Sequence, residues 1–248
     1  MFRTIGRMGL RILVSDFLQT AYILLIVFGF IPPRMHLKQK SPNLKLSSLH
    51  HLWLMVLNST SNTPCKISMD TAGWALWYFK NDKSKSWTEN LRLIAKFDTV
   101  EDFWALYNHI QQPSKLGFGC DYCLFKDGVK PMWEDDKNKL GGRWLMTLSK
   151  QQRQIDLDRY WMETLLCLIG ESFDEASEDV CGAVVNIRPK GDKISIWTGN
   201  CQNKEAIVTI GQQYKERLSI PIKLLIGYQS HDDTSSKSGS TTKNMYSV

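Results

Sequence analysis

The 248-residue sequence predicts an α+β domain, an antiparallel sheet under one layer of helices. Short runs rich in aromatic and β-branched residues recur from residue 74 onward, and three helix-like stretches fall among them. The order shows neither βαβ regularity nor a phosphate-binding glycine motif, which disfavours a doubly wound parallel sheet.

In chain order, the aromatic run over residues 74–79 reads as a strand, because Lys80-Asn81-Asp82-Lys83 closes it with a polar loop. Residues 91–97 read as a second strand. Asp98 followed by Glu101 has the spacing of a capping box and opens a helix that runs to about residue 111. Ser149 and Gln152 repeat that signal ahead of a longer helix to about residue 169, whose apolar side carries Ile155, Met162, Leu165, Leu166 and Ile169. Residues 183–188 and 193–198 flank Pro189-Lys190-Gly191-Asp192 and predict a hairpin. A third helix over residues 203–218 places Ile207, Ile210 and Tyr214 on one face, and residues 222–228 return as a strand. The folded domain thus spans residues 73–230, followed by a polar, mobile tail over 231–248.

Residues 1–72 read differently. They hold eight Lys and Arg against two Asp, which accounts for the whole formal charge of +6, while the remaining 23 basic and 23 acidic residues cancel. An anion site in the body must therefore come from local geometry rather than bulk charge. The apolar stretch 17–31 falls short of the roughly 20 residues of a spanning helix unless it borrows residues 12–16. The expectation is an atypical, largely disordered extension, with membrane targeting by residues 12–31 as the alternative. Residues 32–72 resemble a linker.

The six cysteines are scattered. Cys120 and Cys123 form a CxxC without a second pair at zinc spacing, so neither a metal nor a disulfide framework is expected. The five histidines form no motif with Ser and Asp, and the acids at 134–136 are too local for a metal-dependent hydrolase. No enzyme and no cofactor are expected.

Eight of the nine tryptophans fall between Trp74 and Trp197, several beside charged residues. Indole faces attract cations and stack on bases, so a flat cationic ligand bearing phosphates suits them. In the hairpin, Ala183, Val185, Ile187, Ile194 and Ile196 alternate with Asn186, Arg188, Lys193, Ser195 and Trp197. From the hairpin alone, the second set is either a solvated charged face or a place where two cations hold phosphates beside an aromatic. Trp74, Trp77, Trp144 and Trp161 are assigned mainly to packing.

WALWYFKNDK (74–83), DTVEDFW (98–104), MWED (132–135), GGRW (141–144), LLCLIGE (165–171), GAVVN (182–186) and KSGSTTKN (237–244) occur in order. Together they resemble the eukaryotic messenger-RNA cap-binding translation initiation factor 4E over residues 74–248. The resemblance implies a curved antiparallel sheet with three long helices on its convex face and the 7-methylguanosine cap on its concave side. By matched motif, Trp87 and Trp133 are the stacking indoles, Glu134 reads the base edge and Trp197 meets the methyl group. Arg143, Arg188, Lys190 and Lys193 lie on the phosphate side.

The resemblance further implies a monomeric, cytoplasmic and also nuclear protein that binds capped mRNA. Val100, Trp104, Met162 and Leu166 would receive the scaffold initiation factor 4G and 4E-binding repressors through Tyr-x-x-x-x-Leu-Φ helices. Ser240, in a tail packing near the cap entrance, matches a phosphorylated serine, whose added charge would either pair with a lysine at that entrance such as Lys190 or repel the messenger's phosphates. Several positions depart from the pattern. Residues 68–73 lack the partner-seating segment before the first tryptophan of the domain, Leu140 stands where Arg is common, and Met162 where Leu is common. An active initiation factor is the expected function, with a translational repressor or partner-binding paralogue of weak cap affinity as the alternative.

Overall fold

The computed structural model describes residues 73–221, 224–236 and 243–248. The expectations for residues 1–72, including the apolar stretch, and for Ser240 lie outside the described residues. Among the described residues no helix is long and apolar enough to cross a membrane.

The strands are β1 (Trp74–Lys80), β2 (Leu91–Phe97), β3 (Cys120–Lys126), β4 (Gly142–Leu148), β5 (Val180–Asn186), β6 (Asp192–Thr198), β7 (Gly227–Ser230) and β8 (Tyr246–Ser247). They form one curved antiparallel sheet in the order β2-β1-β3-β5-β6-β4-β7-β8. The helices are α1 (Trp87–Asn90), α2 (Val100–His109), α3 (Lys150–Ile155), α4 (Leu157–Ile169), α5 (Lys204–Arg217) and α6 (His231–Ser236). Residues of α2, α4 and α5 share one hydrophobic cluster with Leu76, Leu124, Trp144, Met146, Val185, Ile194 and Ile196 of the sheet. The predicted fold class is therefore the observed one, with the three long helices layered on one face.

Period-2 alternation decides what the other face carries. Phe79, Asp121, Asn186 and Lys193 are successive cross-strand partners on β1, β3, β5 and β6. Cys123, Val184 and Ser195 form the next such row, and Trp197 pairs with Arg143 of β4 beyond it. The hairpin alternation read from the sequence holds, since Ala183, Val185, Ile187, Ile194 and Ile196 are all fully buried on the helix side.

Helix α5 lies unusually close to the sheet. A Cβ on Gly211 would come within 2.3 Å of the Trp144 ring, whose Nε1 donates to the Ile207 carbonyl at 2.9 Å. Glycine is required there by contact rather than by backbone conformation.

Several expectations are corrected. The cap of α2 is Thr99, whose hydroxyl accepts from the Asp102 amide, one residue later than Asp98 and Glu101. The helix expected over 149–169 divides at Asp156, so Ile155 belongs to α3, is 75% exposed and leaves the apolar side. Residues 120–126 and 142–148 are strands that the sequence left unassigned. The strand expected at 222–228 is the shorter β7.

The polar tail, expected to be mobile, begins with α6 and ends with β8, whose Tyr246 and Ser247 pair with Tyr228 and Gly227. Unmet ladder groups on β7 give that short segment its partner.

Candidate functional site

On the face opposite the three long helices lies a cavity of about 1050 Å³. Trp87, Trp133, Glu134, Arg143, Arg188, Lys190, Lys193 and Trp197 all line it, together with Phe79, Asp121, Cys123, Asn186 and Ser195. All eight residues singled out for a nucleotide therefore come to one place. Val100, Trp104, Met162 and Leu166 do not; they lie in the helix-side cluster, with exposures of 6, 8, 3 and 8%.

Two exposed indoles stand at the cavity, each carried by its own local device. Trp87 is 45% exposed and opens α1, which is set by a capping box in which Ser86 and Glu89 satisfy each other's backbone amides. The Trp87 ring leans on Phe79 at 5.7 Å between centroids. Trp133, 36% exposed, and Glu134 lie on the 130–138 loop. The fully buried Asn138 amide donates to the carbonyls of Lys130 and Met132, both at 2.8 Å. The Asp135 carboxylate accepts from the amides of Lys130 and Lys137 at 3.0 and 2.9 Å. These bonds fix a segment with no ladder of its own.

The cationic wall is unevenly committed. Arg188 forms a two-pronged pair with Asp121, with Nη2 donating to Oδ2 at 2.9 Å and Nη1 to Oδ1, which raises the guanidinium's pKa further. The Lys193 pKa is lowered by burial and by the nearby charges of Arg143 and Arg188. Burial also lowers that of Arg143, whose Nε is buried without a hydrogen-bond partner among the described residues. Lys190 is exposed at the turn. A guest carrying negative oxygens would relieve the strain of holding Arg143 and Lys193 together.

At the far end, the 5%-exposed Trp197 donates from Nε1 to Ser195 Oγ at 3.2 Å and packs edge-on against Phe125. Behind it stands His231, its ring centroid 4.2 Å from that of Trp197, and neither of its ring nitrogens has a partner among the described residues. Burial, then Arg143, pushes the His231 pKa down to about 3, so the ring is neutral.

Asp121, Asn138 and His231 were missed by the sequence reading. Asp121 faces the cavity because of its register opposite Asn186, and that follows only once β3 is recognised as a strand. Cys120 and Cys123, the CxxC pair, point to opposite sheet faces; Cys120 accepts from the Tyr78 hydroxyl at 3.1 Å, and Cys123 lines the cavity. No group of three or more His, Cys, Asp or Glu that could hold a metal occurs among the described residues.

The family model for eukaryotic initiation factor 4E matches residues 71–246. Human eukaryotic translation initiation factor 4E is 73% identical over 175 residues, 71% of this chain and 81% of that protein. The human type 1B protein is 63% identical over 175 residues, 71% of this chain and 72% of its own length. The solved structure of Ascaris suum eIF4E-3 with an m2,2,7G cap matches with a TM-score of 0.69 at 49% identity, covering 74% of this chain and 98% of that one. A schistosome eIF4E solved with m7GpppA and 4E-BP matches with a TM-score of 0.69 at 34% identity, covering 75% of this chain and all of that one. With a matching family model over most of its length and the same curved, helix-backed sheet, this chain belongs to the eukaryotic initiation factor 4E family.

Proposed function

We propose that this protein binds the 7-methylguanosine cap of mRNA in the cavity and recruits scaffold or repressor proteins in translation initiation. The observation that carries the reading is the meeting of two exposed indoles, a carboxylate and a basic wall at one cavity. Methylation at N7 makes guanine cationic, so stacking between Trp87 and Trp133 gains an electrostatic contribution from both ring faces. Glu134 accepts from the N1 and N2 hydrogens of guanine, an arrangement that an adenine edge does not offer. Trp197 contacts the methyl group, and Arg143, Lys193, Lys190 and Arg188 hold the phosphates. It is a binding protein and not an enzyme, and it acts in the cytoplasm, with a nuclear fraction as part of the proposal.

Indole fluorescence titration tests the reading. Quenching by 7-methyl-GTP and a much weaker response to GTP are expected, whereas equal affinities would overturn the stacking mechanism. A chain with weak affinity for both would instead act as a repressor or partner-binding paralogue.

On the helical face, we assign Val100, Trp104, Met162 and Leu166 to partner helices of the Tyr-x-x-x-x-Leu-Φ type. Neighbouring structures solved with Mextli or 4E-BP support the recruitment of such partners, and the assignment of these four residues rests on motif and on their common helix-side cluster. Trp104→Ala should weaken such a peptide by more than about 2 kcal/mol while leaving 7-methyl-GTP bound. Wild-type peptide affinity in a folded variant would count against it. Ser240 is proposed as a phosphorylation site, which mass-spectrometric mapping of the tail checks directly.

A further inference from the structure

The phosphate-side residues hang on a turn that is held from outside the cavity. Arg188, Pro189, Lys190, Gly191 and Lys193 line the cavity, whereas Asp192 points elsewhere and is 1% exposed. Its carboxylate accepts from Nε and Nη2 of Arg153, each at 2.6 Å, and from the Arg188 backbone amide at 3.0 Å. Arg153 belongs to α3, the short helix that follows β4, and its guanidinium lies 4.6 Å from the centre of the Phe118 ring. Asp192 pairs in register with Leu148, the last residue of β4. Between them Gly191 adopts φ +143°, with space so tight that a Cβ would lie 2.8 Å from the Leu148 carbonyl. The turn is thus seated on the β4–α3 junction and tied there by a buried two-pronged ion pair.

From this geometry we infer that Arg153, which does not touch the cavity, is a positioning residue for phosphate recognition, acting through Asp192 on the turn that presents Arg188, Lys190 and Lys193. Removing Arg153 leaves a buried carboxylate without its countercharge, a costly state. The chain relieves it by moving the turn so that Asp192 reaches water, and the three cations move with it. Trp87 and Trp133 lie on other segments and keep their places. The inference rests on the proposed reading that these cations meet the phosphates of a capped nucleotide.

The test is fluorescence titration of the full chain with 7-methyl-GMP and 7-methyl-GTP, for wild type, Arg153→Met, Arg153→Lys and Asp192→Asn, with a thermal melt of each. The preference for triphosphate over monophosphate should fall about five- to tenfold in Arg153→Met, inside the roughly 2- to 30-fold range of residues that act at a site without touching its ligand. Arg153→Lys, which supplies a point charge instead of a fork, should lie between that variant and wild type. Monophosphate affinity should change less than about twofold, since stacking is untouched. An unchanged preference in a folded Arg153→Met overturns the inference. Should that variant not fold, Arg153→Lys and Asp192→Asn decide in its place, and an unchanged preference in both has the same force. A wild-type chain that does not distinguish 7-methyl-GTP from GTP removes the reading of the cavity itself and this inference with it.

Discussion

The two faces of the sheet are made by the same strands, residue by alternate residue, yet they are finished to different degrees. On the helix face the large side chains are shut away from solvent; Trp144 donates to Ile207 and Thr164 and Tyr214 share a hydrogen bond at 2.7 Å, while the Nε1 atoms of Trp74 and Trp161 are buried without a hydrogen-bond partner among the described residues. On the cavity face two indoles stand exposed, Arg143 has a buried Nε without a hydrogen-bond partner among the described residues, and burial together with the charges of Arg143 and Arg188 lowers the pKa of Lys193. Unmet buried groups thus occur on both faces, and what sets the cavity face apart is exposed aromatic surface beside basic side chains, the make-up of a concave binding site. The difference separates the buried tryptophans of the helix side from the exposed ones at the cavity, which number or hydropathy alone does not do.

The largest way to break the comparison is on the closed side. Trp144→Ala should destabilise the fold by about 3–5 kcal/mol, because it empties a fully buried site against α5. A denaturant titration showing a loss of less than about 1 kcal/mol would mean that the helix face is not the tightly packed one.

Trp133→Ala should do the reverse. It should cost about 1–3 kcal/mol in affinity for 7-methyl-GTP, and its stability should stay within about 0.5 kcal/mol of wild type. A large drop in melting temperature would make Trp133 structural and dissolve the contrast. Next in size, Lys193→Ala should weaken 7-methyl-GTP by about 1.5 kcal/mol and leave the nucleoside nearly unaffected. Phosphate should also raise the lowered pKa of Lys193, so that affinity declines as pH rises through the free amine's value. In Lys193→Arg that decline should be smaller, leaving only the part that comes from loss of the N1 proton of the methylated guanine, which paired titrations at neutral and alkaline pH measure.

The smallest effect sharpens the boundary between the faces at His231. The folded chain holds this ring neutral to about pH 3, whereas the unfolded chain protonates near 6.5. Between those values the unfolded state carries the extra proton, so His231 makes the protein lose stability as pH falls, with a slope that approaches roughly 1.4 kcal/mol per unit once pH is about a unit below 6.5. Unfolding free energies of wild type and His231→Phe at pH 6.5 and 5.5 should diverge by about 1 kcal/mol, with the variant losing less. Parallel curves would show that the ring is hydrated in the native state.

Much of this was legible in the sequence, for identifiable reasons. The hairpin's alternation needed only the period of a strand, and Ile194 and Ile196 against Lys193 and Trp197 supply it clearly. Strand β3 was not legible because nearly every residue from Cys120 to Phe125 is buried, so alternation of polarity is absent. With β3 unseen, Asp121 had no address, and the partial commitment of Arg188 could not be anticipated. The break at Asp156 was hidden by a favourable cap at Ser149 and a favourable apolar pattern beyond it, which run together when read as one helix. Gathering the eight cavity residues relied on motif order, since the segments of Trp87 and Trp133 have no periodicity of their own.

The Asn138 and Asp135 bonds that shape the Trp133 loop begin and end within residues 130–138, and the Ser86 and Glu89 bonds that shape α1 stay within residues 86–89. The floor of the cavity has no such independence, because each strand residue facing the guest has a neighbour wedged into the helix layer. Variation in this chain's taste for different bases is therefore cheap in the two rim segments, where substitutions stay local. A change in how it grips the phosphates drags the interior along. Selection or engineering that seeks a new ligand would be expected to rewrite residues 81–90 and 130–138 first and leave the strands alone.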